Sequence, residues 1–116
     1  MSDLFPESTR EIGKLRRDLA PAAASAFAEF SKAVFAEGAL SAKTKQLIAV
    51  AVAHVTQCPY CIQGHTDLAR RHGASREEIM EAIWVAAEMR AGGAFAHSTV
   101  ALARMLDDDG KAGAKS

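Results

Sequence analysis

The sequence predicts an all-α protein, a single domain of about six helices over residues 1–106 followed by a disordered tail at 107–116. Three observations carry this. Apolar residues recur with a helical period throughout, and no stretch alternates polar and apolar over a strand's length between turn residues. Glycine and proline fall between the periodic segments or in their first turns, where they punctuate helices. Side chains that cap helix N-termini stand just ahead of several of those segments.

In chain order, Ser8 with Glu11 three residues on reads as a capping box for a first helix through Arg17. Pro21 suits the first turn of a second helix that runs to about Glu37, where Gly38 stops it. Its residues Ala24, Phe27, Phe30, Val34 and Phe35 form one apolar stripe. Ser41 caps a third helix from Ala42 to about Thr56, apolar nearly all round from Leu47 to Val55 and so expected to be buried centrally. Pro59 opens a fourth helix that ends at Gly73. Ser75-Arg76-Glu77-Glu78 is a second capping box, starting a fifth helix to about Arg90. Gly92-Gly93 is expected to break it, leaving a sixth from about Ala94 to Leu106. The segment from Asp107 is polar and lacks apolar periodicity.

Composition narrows the function. The 116 residues are 49% hydrophobic and 24% charged, with 14 basic and 14 acidic side chains. That length fits one domain. Zero formal net charge and the lack of a Lys/Arg-rich run speak against a nucleic-acid partner, which would require neutralised phosphates. The longest apolar run, Leu47 to Ala53, is far short of the ~20 residues that span a bilayer. Met1 to Glu11 shows no basic start followed by an apolar core, so no secretory leader is visible and a cytoplasmic location is expected. Alanine recurs along nearly every helix. Small side chains bury little area each, so the core of one chain is thin and a homo-oligomer is expected.

The chain has two cysteines, Cys58 and Cys61. A Cys-x-x-Cys pair closes almost no loop and so adds little stability; redox chemistry or metal binding explains it better. With Cys58 capping the fourth helix, His65 lies about 40° from Cys61 and about 20° from Cys58 around the axis, so all three share a stripe. A thirtyfold shift of the thiol–thiolate equilibrium constant takes about 2 kcal/mol. A helix N-terminus contributes about 0.3–1 kcal/mol. The dipole alone falls short, and an imidazole that accepts the thiol proton is needed. Cys61, the i, i+4 neighbour of His65, is therefore assigned as the attacking thiolate and Cys58 as the resolving thiol. Such a thiolate attacks a peroxide oxygen and becomes a sulfenic acid, which the neighbouring thiol captures as a disulfide. Nothing else in the chain takes the oxidising equivalents, so an external thiol or dithiol reductant is required and no cofactor is expected. Zinc would need both cysteines and two of His54, His65 and His97. The second Cys-x-x-Cys or His-x₃₋₅-His pair usual in structural zinc sites is missing, so no metal is expected. A structural or incidental cysteine pair is the plain alternative.

Two stretches are more specific than the cysteine pair alone: Lys43-Thr44-Lys45-Gln46-Leu47-Ile48-Ala49-Val50-Ala51-Val52-Ala53 and Gln57-Cys58-Pro59-Tyr60-Cys61-Ile62-Gln63-Gly64-His65. Together with Gly73-Ala74-Ser75, Glu77-Glu78-Ile79 and Arg90-Ala91-Gly92-Gly93-Ala94, they resemble the AhpD-like alkylhydroperoxidases of the carboxymuconolactone decarboxylase superfamily. The resemblance covers roughly residues 40–105. It implies an all-α fold assembled as a trimer, or as a hexamer built from dimers. It implies thiol-dependent peroxide reduction, with Cys61 forming the sulfenic acid, Cys58 resolving it and His65 in a proton relay. The decarboxylase branch generally lacks the cysteine pair. One departure stands out: the family's relay also uses a glutamate twelve residues before the first cysteine, and here that residue is Gln46. An amide orients an imidazole or a water but accepts no proton near neutral pH. His54 and His97 are candidates to take over that step, each with an ordinary hydrogen-bonded histidine as its alternative. Tyr60, between the cysteines, is a candidate for the site entrance or for packing. Trp84, Met80 and Met89 read as core or subunit interface.

The expected function is a thiol-dependent (alkyl) hydroperoxide reductase, whose partners are a peroxide and a dithiol reductant or reductase protein. The rivals are a dithiol–disulfide carrier without fast peroxide reduction, a cysteine-independent lyase of the decarboxylase type using His65 or His97, and a non-catalytic oligomeric binding protein.

Overall fold

The third helix is the element on which the others are placed. In the computed structural model, which describes the backbone of residues 4–115 and the side chains of residues 4–111, it runs Ala42–Thr56 as α3. α4 (Pro59–Arg71) and the start of α5 (Arg76–Lys115) pack against it. α1 (Arg10–Leu19) and α2 (Pro21–Phe35) form a separate hairpin that meets α3 lightly, near the end of α2. All five elements are helices, and there is no strand among the described residues.

The local signals are mostly met. Ser41 Oγ accepts from the Thr44 amide at 3.1 Å. Ser75 and Glu78 form the reciprocal capping box, with amide-to-side-chain distances of 2.9 and 3.0 Å. Pro21 and Pro59 occupy first turns. Gly73 takes φ +88°, a backbone that costs glycine nothing, and so lets the chain leave α4. At the N-terminus the cap is Thr9 rather than Ser8: Thr9 Oγ1 accepts from the Ile12 amide at 3.2 Å, which shifts the helix by a residue and leaves Glu11 outside a capping box.

The largest correction concerns the C-terminal part. Gly92-Gly93 does not break the chain, and α5 continues through it to Lys115. Two helices and a tail are therefore one helix of 40 residues, and the described residues hold five helices rather than six. A glycine pair weakens a helix by about 1 kcal/mol per residue but forbids nothing. The flanking alanine-rich turns carry the helix across. Of the expected disordered tail only residue 116 lies outside the described residues, as do residues 1–3 of the segment searched for a leader.

The core is small. Val50 and Ala69 are fully buried, with Ala74 and Ile79 beside them and Leu47 and Ile83 at the edge. Of the seven buried apolar residues among those described, five are alanines, which matches the thin core expected. α3 is buried on one side only: Ala42, Gln46, Val50 and Ala53 face α4 and α5, whereas Ile48, Val52 and Val55 stay exposed. Most of the stripe on α2 finds no cover within the chain: Phe27, Phe30 and Val34 are exposed, and Phe35 at its end is half-buried. So are Met80, Trp84 and Met89, which are therefore not core. No helix among the described residues is long and apolar enough to cross a membrane.

Candidate functional site

α3 ends at Gln57, which takes the left-handed conformation (φ 60°, ψ 44°) and turns the chain straight into Cys58. Cys58 is the N-cap of α4, and its sulfur accepts from the Cys61 amide at 3.2 Å. Ser, Thr, Asp and Asn normally take this position; here sulfur does, which anchors the first cysteine where the helix presents unpaired N–H groups. Cys58 and Cys61 are joined as a disulfide with Cα atoms 5.3 Å apart.

One turn further, His65 Nδ1 meets Gln46 Oε1 at 2.7 Å across the α3–α4 interface. An amide oxygen only accepts, so Nδ1 carries the proton and Nε2 keeps the free lone pair. Gln46 is 4% exposed, the one buried polar residue among those described. Burying an amide is costly unless it is bonded, and His65 supplies the partner. One face of the His65 ring stacks on Phe35, the last residue of α2, with centroids 5.2 Å apart and planes 27° apart.

Beside these groups lies a cavity of about 420 Å³. Cys61 and His65 line it from α4; Ile48, Ala49, Val52 and Ala53 line it from α3; Val34 and Phe35 line it from α2. Its walls are apolar apart from Lys45, Thr56 and the two α4 residues. Cys61 thus opens on the cavity, and Cys58 is not among its lining residues.

The sequence-derived candidates divide cleanly. Cys58, Cys61, His65 and Gln46 come together as one group. His54 Nδ1 instead donates to the Val50 carbonyl of its own helix at 2.7 Å, the ordinary fate of a helical histidine. His97 is exposed on α5, away from the cavity lining. Tyr60 donates its hydroxyl to the Pro6 carbonyl at 2.7 Å and packs edge-on against Phe5, so it secures the N-terminal segment rather than the cavity. No group of three or more metal-ligating side chains is found among the described residues.

Phe35 and Lys45 belong to the site and were not singled out for it from the sequence. The sequence places Phe35 only at the end of the apolar stripe of the second helix. Lys45 Nζ donates to the Val34 and Ala36 carbonyls, at 2.8 and 2.6 Å, so it closes the end of α2 over the cavity. The available signal was the aromatic residue at the helix end just before the Gly38 stop, three residues away.

The chain is similar to several known proteins. The chain is 58% identical over 114 residues to uncharacterized protein 4 of the cox locus of Paracoccus denitrificans, covering 95% of this chain and 99% of that one. It is 40% identical over 97 residues to an uncharacterized protein of Cupriavidus necator, covering 84% and 85%. Among solved structures, it is similar to a carboxymuconolactone decarboxylase family protein from Legionella pneumophila in its apo form. That match has 37% identity and a TM-score of 0.63, over 68% of this chain and 70% of the other. A protein from Methanobacterium thermoautotrophicum matches at 35% identity and a TM-score of 0.68, over 72% and 93%. The family model described as carboxymuconolactone decarboxylase matches residues 21–104, from the start of α2 well into α5 and across the whole site. The chain belongs to the carboxymuconolactone decarboxylase family.

Proposed function

We propose that this protein is a thiol-dependent hydroperoxide reductase. The observation that carries the proposal is the placement of Cys61 and His65 on one cavity, with Cys58 within disulfide reach and His65 held in a defined tautomer by Gln46. In the reduced protein, His65 Nε2 takes the Cys61 proton. The thiolate attacks the distal peroxide oxygen, the O–O bond breaks, and the leaving alkoxide or hydroxide takes a proton from the imidazolium. Cys61 is then a sulfenic acid. The Cys58 sulfur attacks it, a disulfide forms and water leaves. An external dithiol returns the pair to its reduced state by thiol–disulfide exchange. Access supports the order of roles, because Cys61 lines the cavity and Cys58 does not. The apolar walls suit an alkyl group on the peroxide.

The test is stoichiometric. One equivalent of an alkyl hydroperoxide added to reduced protein should consume both thiols, yield one equivalent of alcohol, and give a Cys58–Cys61 disulfide by mass spectrometry. Cys61→Ser should abolish alcohol formation. Thiols that survive the peroxide overturn the proposal.

The amide at Gln46 favours one second reading, a carrier that exchanges its dithiol with a protein disulfide and reacts slowly with peroxide. Turnover with a protein disulfide alone would select it. Activity that survives Cys58→Ser with Cys61→Ser would instead select a lyase. We also infer that the protein works as a homo-oligomer, supported by the uncovered apolar residues of α2 and α5.

A further inference from the structure

The proton relay reads as a matter of α3 and α4, yet His65 is held from a third direction. Gln46 fixes one edge of the ring, and Phe35 covers one face. Phe35 comes from α2, which otherwise meets α3 lightly and carries an exposed flank. What holds this end of α2 in place is Lys45, whose ammonium takes the carbonyls on either side of Phe35, those of Val34 and Ala36. A cation at a helix C-terminus, donating to unpaired carbonyls, is a favourable charge-assisted contact. The consecutive residues Lys45 and Gln46 therefore address the same imidazole, one through Phe35 and one directly.

We propose that Lys45 and Phe35 act as one positioning unit for His65. Lys45 clasps the end of α2, the clasp seats the Phe35 ring on the imidazole, and the seated ring favours the imidazolium form that arises when Cys61 loses its proton. An aromatic face attracts a cation, which gives the stack a chemical effect beyond packing. Neither residue touches the reacting sulfur in this scheme, and both act through His65. The inference rests on His65 being the group that takes the Cys61 proton. The charged and titratable groups lining this cavity are Lys45 from α3 and Cys61 and His65 from α4; α2 adds none.

The test is a double-mutant cycle on thiol reactivity, which needs no peroxide. Reduced full-length protein is alkylated with iodoacetamide across a range of pH, and Cys61 modification is followed by peptide mass mapping. Phe35→Leu should move the Cys61 profile to higher pH and lower the neutral-pH rate about two- to fivefold. Lys45→Met, which keeps the aliphatic stem, should do the same. The double variant should be no slower than Phe35→Leu alone, and Lys45→Arg should restore much of the rate. Proton NMR gives a second readout: Lys45→Met should remove the upfield ring-current displacement of the His65 carbon-bound protons.

Additive effects overturn the proposal, since they would mean that Lys45 acts by its charge alone. An unchanged profile in Lys45→Met, or a retained ring-current displacement, overturns it too. His65→Ala separates the layers. If that variant leaves the profile unchanged, the relay itself fails and the clasp has nothing to position. If it moves the profile while the cycle is additive, the relay stands and the clasp fails.

Discussion

Gln46 is the residue whose chemistry is most exposed to test. It is buried, it accepts from His65 Nδ1–H, and its isosteric acid would occupy the same space. Gln46→Glu places a carboxylate on that N–H, which favours the imidazolium and with it the Cys61 thiolate. The expected outcome is faster Cys61 oxidation by peroxide across about pH 6 to 9, with the larger gain near neutrality. The measurement is stopped-flow thiol oxidation of both proteins. A buried carboxylate is costly to desolvate, so the variant should also be less stable, by about 1–3 kcal/mol where His65 is neutral. At this scale the sequence was most informative. The spacing of Cys58, Cys61 and His65 follows from helical geometry alone, and the structure brings these residues together. Gln46 was tied to them by a family resemblance, because no periodicity relates α3 to α4. Phe35 and Lys45 were missed for the same reason: their roles depend on how α2 docks, which is a tertiary fact.

Among the elements, α3 carries both the core and the site. Val50 is fully buried where α3 meets α4 and α5. Val50→Ala removes two methyl groups from a site with little room to collapse, and should cost about 1–3 kcal/mol. Chemical denaturation, read as a lowered midpoint with an unchanged slope, checks this. α5 is tied to α3 at its start by Glu78, which caps with Ser75 and pairs with Lys43 at 2.7 Å. The hydrogen bond from Lys43 and the Ser75 amide hold the Glu78 carboxyl below its ordinary value. A depressed carboxyl stabilises the fold above its unfolded-state pKa, and that contribution fades as pH falls through the folded value. The stability gap between the wild type and Glu78→Gln should therefore be constant near neutrality and close under acid, as thermal melts in a pH series would show. Element boundaries were legible from caps and prolines. The Gly92-Gly93 break was misjudged because glycine's cost is small beside the helix on either side of it, and a break needs a competing conformation that this sequence does not supply.

The whole molecule is elongated, 70 × 36 × 32 Å with a radius of gyration of 21.3 Å. A compact chain of this length has a radius near 13 Å. Phe95, Val100, Met105 and Leu106 stand exposed along the outer part of α5, and Phe27 and Phe30 along α2. Leu102 and Leu106 lie within about 20° of Phe95 around the α5 axis, and an exposed apolar stripe of this kind marks an interaction site. On the proposed homo-oligomer, sedimentation and small-angle scattering should give an integral multiple of the 12.3 kDa chain. Phe95→Glu with Leu102→Glu should lower that multiple while leaving the core helices folded by circular dichroism. The alanine-rich composition foretold a thin core but did not show which apolar surfaces would be left uncovered.

The uninterrupted α5 has a consequence for how the protein folds. Its first turns are anchored by Ile79, Ile83 and Ala86, but every residue from Gly93 to Lys111 is exposed in the lone chain. The packed turns supply the nucleus, but each residue added beyond them returns little without packing, so this half of the helix is the part that frays most easily. With the proposed assembly, folding separates into two regimes. The core around Val50, with Cys58, Cys61 and His65 upon it, forms in a first-order step. In that assembly the outer half of α5 would gain its packing only on encounter with another chain, at a rate that rises with protein concentration.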